Sequence, residues 1–183
     1  MNKISQHGGH NGPNLGVVEM TVALHSVFNS PVDKLVFDIS HQTYIHKMLT
    51  GRAQAFLDLA HFDDVSGYTN PKESEHDLFT VGHTSTSLAL ANGIAVARDL
   101  KQENYNVVAL IGDGSLSGGL AFEGLNNIAE QNSNIIVIVN DNDQSIADNF
   151  GGLYRNLKAL RESNGQAKDN FFQSLGFEYH YLD

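Results

Sequence analysis

The chain has 183 residues, and its 11 lysines and arginines against 21 aspartates and glutamates give a formal charge of -10. That balance argues against a nucleic-acid partner or an anionic membrane surface and suits a protein that handles small molecules. Without cysteine the chain has no disulfide, thiolate metal site or cysteine nucleophile, which fits a reducing cytoplasm. Its length predicts one domain over residues 1–183, and the lack of an apolar leader or long apolar run predicts a cytoplasmic location without a membrane partner.

Apolar periodicity and helix-ending residues predict the elements of the first half of the chain. Residues 14–28 are predicted as a helix with Asn14 as its N-cap. The run 34–40 is predicted as a short strand, and residues 41–51 as a helix that a glycine ends. Residues 52–79 contain glycine, proline and a charged run, which predicts a long and partly irregular segment.

The second half of the chain alternates between helices and apolar strands. A helix rich in small residues is predicted over 83–100, followed by a strand (107–111), a helix (119–130) and a second strand (135–139). Continuous apolar strands joined by a helix indicate a parallel sheet that is covered on both faces. The predicted fold class is therefore α/β, a three-layer α/β/α arrangement with a mostly parallel sheet. Ligands of such sheets bind beyond the carboxyl ends of the strands.

Polar residues follow both of these strands. Asp113 stands between two glycines in GDGS, and no lysine or arginine occurs from Gln102 to Tyr154 to balance it. Asn142 lies in NDND after the next strand, so the two clusters should be neighbours in space. Carboxylate and amide oxygens suit Mg²⁺, with a backbone carbonyl, water and phosphate oxygens completing its shell. The pattern predicts a divalent cation that bridges to a phosphate group, helped by backbone N–H groups of the glycine-rich turn.

The same motifs also have a purely structural interpretation, in which GDG is a tight turn and NDND caps a helix. The Walker and dinucleotide fingerprints are absent, and no HExxH spacing supports zinc. Three histidines, His10, His41 and His83, lie in loops at element junctions, where an imidazole can reach a ligand. For each of them the alternative is an exposed or backbone-bonded ring. The histidines interpreted as helix-face or surface residues are His25, His46, His61, His76 and His180.

Taken together, these stretches resemble a known family. An apolar strand that leads into GDG, a helix with FEGLNN, a second apolar strand and NDN form the thiamine-diphosphate motif. The stretches GGHNGPNLGVVEMTVALHSVF, DISHQTYIHKMLTGR and ESEHDLFTVGHTSTSLALANGIAVARD are similar to the 1-deoxy-D-xylulose-5-phosphate synthases, which are transketolase-like enzymes. The similarity runs from Gly8 to Asp148, with a looser match at FFQSLGFEY.

The resemblance implies the thiamin diphosphate-binding fold and a site for thiamine diphosphate and Mg²⁺. It assigns Asp113, Asn142 and the carbonyl of Gln144 to the metal, and it places His10 close to the thiazolium and the substrate. His10, His41 and His83 become the candidates for catalytic proton transfer. The residues that match cofactor contacts are His41, Gly82, His83, Thr84, Gly114, Ser115 and Asn142.

The activity implied by the resemblance is the condensation of pyruvate with glyceraldehyde 3-phosphate to 1-deoxy-D-xylulose 5-phosphate, with loss of carbon dioxide, toward isoprenoid and thiamine precursors. The family's pyrimidine-binding and C-terminal domains are not matched, so the chain alone is predicted to be inactive. It is expected to associate as a homodimer or with the missing domains. Ser40 departs from the glycine usual in the family, and the segment after Phe150 is short.

Two alternatives stay open at the level of sequence. The first is a non-catalytic or split-subunit relative that acts as a binding or assembly module. The second is an Mg²⁺-dependent phosphohydrolase, which would need a second acid that GDGS does not offer.

Overall fold

In a computed structural model, which describes residues 2–131, 133–143 and 148–183, parallel strands form the centre of the protein. Within these residues the strands are β1 (Lys34–Phe37), β2 (Val107–Gly112) and β3 (Ile135–Asn140), in the order β1-β2-β3. Both pairings are parallel, and the register of β2 against β3 sets Gly112 opposite Asn140. The three predicted strands are confirmed, although β1 ends at Phe37 rather than at residue 40. Strands β1 and β2 are mostly buried, whereas β3 is only partly buried.

Helices precede and follow each strand of the sheet. Besides a π-helical turn over Met48–Arg52 and a 3-10 turn over Leu59–His61, the described residues form the following α-helices. They are α1 (Asn2–His7), α2 (Asn11–Leu15), α3 (Val18–Val27), α4 (Tyr44–Lys47), α5 (Gln54–Leu57), α6 (Ser87–Lys101), α7 (Asp113–Leu116), α8 (Gly119–Gln131), α9 (Gly152–Glu162) and α10 (Phe171–Ser174).

The side chains of β2 alternate between two apolar layers, as the pleat of a strand requires. Val107, Ala109 and Ile111 pack in a core with residues of α6, α8 and α9. Val108 and Leu110 point to the other face, where they pack with Leu24 of α3 and with residues of β1. The protein is therefore a three-layer α/β/α structure, as predicted.

Helices α6 and α8 approach each other closely. A Cβ atom added to Gly124 of α8 would lie 2.7 Å from the Cβ of Leu88 on α6, which is closer than real Cβ contacts. The contact explains why both helices carry small residues, since a larger side chain at this crossing would push the helices apart.

The predicted single helix over 14–28 was wrong. Helix α2 ends at Leu15 and α3 begins at Val18, with non-helical backbone at Val17 between them. Asn14 is not an N-cap but lies inside α2, with its side chain buried. Its amide bonds to segments far away in the chain, and these partners cannot be identified from local periodicity.

Other boundaries moved by a few residues. The helix predicted over 41–51 begins at Tyr44, and Gly51 adopts a left-handed φ of 90°, as a helix-ending glycine does. The helix predicted from residue 83 begins at Ser87, because the preceding residues form a turn with Ser85 at a φ of 70°. Helices α1, α9 and α10 were not predicted. No helix in the described ranges has the length and apolar character needed to cross a membrane.

Candidate functional site

The GDGS and NDND clusters are neighbours, as predicted. Strands β2 and β3 are adjacent and parallel, and their last paired residues are Gly112 and Asn140. Asp113 and Asp141 therefore leave the sheet at the same edge, side by side. The carboxyl ends of the strands thus bring two acidic groups together, in the place where α/β proteins bind their ligands.

Asp113 begins α7, and only 3% of its surface is exposed. Its carboxylate accepts a hydrogen bond of 2.9 Å from the side-chain amide of Asn149. Burial raises the pKa of the Asp113 carboxyl, the N–H group of Gly114 works against that rise, and nearby Asp141 adds to it. None of the ion pairs between described residues includes Asp113, so a bound cation would stabilise its charged form.

Arg161 of α9 corrects one expectation from the sequence. Its guanidinium contacts both carboxylate oxygens of Asp141 at 2.6 Å and the carboxylate of Asp143 at 3.1 Å. No lysine or arginine occurs from Gln102 to Tyr154, yet the side chain of Arg161 lies beside the end of β3 in the folded chain. The unpredicted helix α9 brings this arginine back to the sheet.

The other predicted metal ligands are less defined. Asn142 is exposed in the second position after β3, and Gln144 lies outside the described residues. In the described ranges, no group of three or more His, Cys, Asp or Glu side chains could hold a metal ion. A metal at this edge would therefore need amide, carbonyl or ligand oxygens beside the Asp113 carboxylate.

The structure brings His10 and His41 together. Their ring centroids are 5.2 Å apart at 81°, an edge-on arrangement, and the ring of Tyr68 lies 5.6 Å from that of His10. In each of the two histidines Nδ1 is buried and has no hydrogen-bond partner among the described residues. Burial lowers the pKa of His41, nearby His10 lowers it further, and Asp38 opposes both effects. Buried polar atoms without a partner are costly, so these two rings are suited to binding a polar ligand.

Asn14 joins the segments that carry these two histidines. Its side-chain Nδ2 donates to the backbone carbonyls of His10 and His41, both at 2.7 Å. Its Oδ1 accepts from the backbone N–H of Tyr44 at 2.9 Å, and the Tyr44 hydroxyl in turn accepts from the N–H of His10 at 3.2 Å. This residue was missed as part of the site, because an asparagine before an apolar run also matches an ordinary N-cap.

The turn that carries Gly82, His83 and Thr84 is exposed. The Nδ1 of His83 lies 2.8 Å from the carbonyl oxygen of Thr84, so the ring is bonded to its own backbone segment. Within the described part of the chain, no ring contact or hydrogen bond joins His83 to His10 or His41. Its predicted role in cofactor binding and proton transfer stays a prediction.

Asp38 is a second residue that the sequence analysis missed. It follows β1, and its buried carboxylate accepts from the N–H groups of Ser85 and Ser87, each at 2.9 Å, at the start of α6. The hydroxyl of Ser85 donates to the carbonyl of Ser115 at 2.7 Å, beside Gly114. One acid after a strand thus ties the end of β1 to both predicted cofactor-binding turns.

Ser40 stands where the resembled family usually has glycine, and its backbone and hydrogen bonds explain how serine fits there. Its φ is 69°, in the left-handed region that favours glycine. The buried Ser40 hydroxyl donates to the carbonyl of Val81 at 3.1 Å and accepts from the N–H of Thr69 at 3.0 Å. These two hydrogen bonds offset the strain that a side chain adds at this position.

A separate buried network contains His46, a helix-face residue of α4 whose side chain is fully buried rather than on the surface. Its Nε2 bonds to Asp77 at 3.1 Å and its Nδ1 to the Nε2 of His25 at 2.9 Å. Asp77 also receives two bonds from Arg52, at 2.7 and 2.8 Å. Although burial raises it, the hydrogen bonds from Arg52 and His46 hold the pKa of Asp77 well below its usual range.

Comparison with known proteins identifies the family of the chain. A family profile described as 1-deoxy-D-xylulose-5-phosphate synthase matches residues 1–180. A protein of that name from Listeria monocytogenes serotype 4b is 50% identical over 181 residues, covering 96% of this chain and 30% of the relative. Another from Caldanaerobacter subterraneus is 56% identical over 159 residues, covering 87% of this chain and 26% of the relative. The chain thus spans less than a third of the length of these relatives.

Among solved structures, one from Mycobacterium smegmatis is described as a proposed thiamin diphosphate-dependent enzyme. It aligns with a TM-score of 0.47 and 20% identity, over 76% of this chain and 22% of that one.

Proposed function

The chain belongs to the 1-deoxy-D-xylulose-5-phosphate synthase family, and we propose that it forms the diphosphate- and Mg²⁺-binding part of a thiamine-diphosphate-dependent synthase. The reaction would condense pyruvate with glyceraldehyde 3-phosphate to 1-deoxy-D-xylulose 5-phosphate, with loss of carbon dioxide. The observation that most directly supports this proposal is the position of Asp113 and residues 141–143 beyond two paired parallel strands.

The residues at this edge have the chemistry that the diphosphate group and its metal require. The Asp113 carboxylate and the Asn142 amide would hold Mg²⁺, with the carbonyl of Gln144 as a further ligand. Oxygen ligands of this kind are the ones that Mg²⁺ prefers. The N–H groups near Gly114 and Ser115 would contribute to phosphate binding, because backbone amides stabilise anions without a lysine.

The rings of His10 and His41 would lie near the thiazolium end of the cofactor. Thiamine diphosphate, when bound, supplies the nucleophilic carbon and the electron sink that decarboxylation needs. The free Nδ1 atoms of His10 and His41 would bind a substrate oxygen or hold the proton that it exchanges. Gly82, His83 and Thr84 would line the same site from their exposed turn.

We further propose that the chain is inactive by itself. It spans 26% to 30% of the two relatives compared, so it would supply only part of the walls of the site. Water would reach the reacting groups, and the gain from a closed, preorganised site would be lost. Association with a second copy or with the remaining domains would close the site.

Substitution of Asp113 tests the proposal. The protein to use is a chimera, in which this chain is joined to the part of the Listeria monocytogenes relative that it does not match. In Asp113→Asn and Asp113→Ala, Mg²⁺-dependent binding of thiamine diphosphate, measured by calorimetry, should weaken by on the order of 100-fold or more, because a ligand that is also a charge is lost.

Glu130→Gln is the matched control, since it removes one negative charge from an exposed position on α8 outside the FEGLNN stretch. It should leave thiamine diphosphate affinity unchanged. Unchanged affinity in Asp113→Ala, with an intact circular dichroism spectrum, would contradict the metal role of Asp113. Cofactor binding by the chimera without release of carbon dioxide from pyruvate would favour the non-catalytic assembly module.

A further inference from the structure

The amide of Asn14 is oriented without ambiguity. Only 4% of the residue is exposed, and its side chain makes three hydrogen bonds, two of them donated by Nδ2 and one accepted by Oδ1. Rotating the amide by 180° would place its oxygen against two carbonyl oxygens and its NH₂ group against the N–H of Tyr44. Both hydrogens of Nδ2 are therefore assigned, one to each carbonyl.

The two carbonyls belong to His10 and His41. His10 precedes α2, whereas His41 follows β1, and the side chain of Asn14 bridges these two segments. Tyr44 adds a second tie, since its N–H is held by Asn14 and its hydroxyl accepts from the N–H of His10. Asn14, His10 and Tyr44 form a closed ring of hydrogen bonds, and His41 is joined to that ring through Asn14.

Close packing around this set leaves the segments little freedom. Gly9 adopts a left-handed φ of 142°, and a Cβ atom at this position would lie 2.7 Å from the hydroxyl of Tyr44. The backbone before His10 can therefore come this close to Tyr44 only with glycine at that position. Movement of either histidine backbone would have to break hydrogen bonds that are partly buried.

We propose that Asn14 is a positioning residue, which fixes the separation and angle of the His10 and His41 rings by holding their backbone carbonyls. The inference rests on the proposed function, which gives the two rings their task. Proton exchange at a substrate oxygen needs donor and acceptor within hydrogen-bond reach, so a displaced pair would lose rate more than affinity. Asn14 itself touches no reacting atom.

Two substitutions separate the bonds that Asn14 makes. Asn14→Asp has nearly the same shape and keeps the acceptor for Tyr44, but it places an oxygen against both histidine carbonyls. Asn14→Ala removes all three bonds. The matched control is Gln42→Ala, because Gln42 joins the same two segments through a bond of 3.3 Å to the carbonyl of Pro13 and touches neither histidine carbonyl.

The first measurement uses NMR on the 183-residue chain and does not depend on activity. In the parent chain and in Gln42→Ala, the rings of His10 and His41 should give a mutual nuclear Overhauser effect. In both Asn14 variants this effect should be lost, and the lowered pKa of His41 should return toward its ordinary value. An unchanged effect and an unchanged His41 titration in either folded variant would overturn the inference.

The second measurement is steady-state kinetics of the chimera. Asn14→Asp should lower kcat on the order of 100-fold, as a displacement of about 1 Å can, while KM for pyruvate changes less than about threefold. A normal kcat with altered ring contacts would also overturn the inference. If His10→Ala and His41→Ala have no effect on turnover, the proposed function fails at these residues, and the NMR result still decides whether Asn14 positions the pair.

Discussion

Two histidine clusters in this chain differ in how their polar atoms are satisfied. In the buried network, Asp77 pairs with Arg52 and His46, and Lys47 lies 2.5 Å from Glu73. In the cluster of His10 and His41, each ring has a buried Nδ1 without a partner among the described residues. In the first cluster, opposite charges pair with one another. In the second, two imidazole nitrogens are left to hydrogen-bond with a ligand.

This difference separates a cluster whose buried polar groups are paired from one in which two buried nitrogens have no partner among the described residues. Buried charges are costly unless they are paired, so a network such as that of Asp77 persists because each charge has a partner. Buried imidazole nitrogens without a partner are also costly, and no hydrogen bond between described residues offsets that cost at the Nδ1 atoms of His10 and His41. The number of histidines or their shifted pKa values would not separate the two clusters, but the state of their hydrogen bonds does.

The largest expected effect is on the stability of the network. Asp77→Asn removes a buried charge that accepts from Arg52, His46 and the N–H of Asn70. The free energy of unfolding should fall by about 3–5 kcal/mol, because Arg52 is left without its buried partner. Denaturant unfolding of the chain measures this change.

The control for that prediction is an exposed ion pair. Lys158 and Glu162 lie 3.7 Å apart on α9 with both side chains largely exposed, so Glu162→Gln should cost less than about 0.5 kcal/mol. If both substitutions lowered the free energy of unfolding equally, burial would not explain the contribution of the network to stability. Neither substitution should alter the contact between His10 and His41.

A smaller effect in free energy is expected at the cluster of His10 and His41. In the chimera, His41→Ala should lower turnover on the order of 100-fold, as loss of a proton-transferring group does. His83→Ala should weaken cofactor binding or turnover less, because its ring is exposed and already bonded to Thr84. His61→Ala, at an exposed ring paired with Asp64, should change neither. Equal losses at all three positions would indicate damage to folding rather than to chemistry.

The smallest effect concerns pH. Burial, His46 and His76 lower the pKa of His25 from 6.5 to about 4, so the unfolded chain binds more protons than the folded chain between these values. Stability should therefore decrease as pH falls from 6.5 to 4, by on the order of 1 kcal/mol after allowance for solvent screening.

Urea unfolding at several pH values measures this term. His25→Gln should flatten the pH dependence in that window. His61→Gln is the control of opposite sign, because Asp64 raises the pKa of His61 and the stability it adds is lost as pH rises. A His25→Gln curve parallel to that of the parent chain would show that the ring does not titrate as its surroundings indicate.

Several features of the site could be predicted from sequence because they depend on neighbours in the chain. Asp113 directly follows an apolar strand, so its position at the sheet edge was predictable once the strand was. The roles of Asn14, Asp38 and Arg161 were not predictable in the same way. Each is defined by a partner at least 20 residues away, and periodicity carries no information about such partners.

The sequence by itself determined the parallel α/β sheet and the meeting of GDGS with NDND at one edge. Continuous apolar runs must be covered on both faces, and parallel strands must end on the same side. Only the tertiary structure decided that Asn149 bonds to Asp113, that Arg161 holds Asp141, and that His46 is buried whereas His83 is exposed. Those outcomes depend on where α9 and the segment 70–77 fold back, because hydrogen bonds and burial are set by distance in space rather than by distance along the chain.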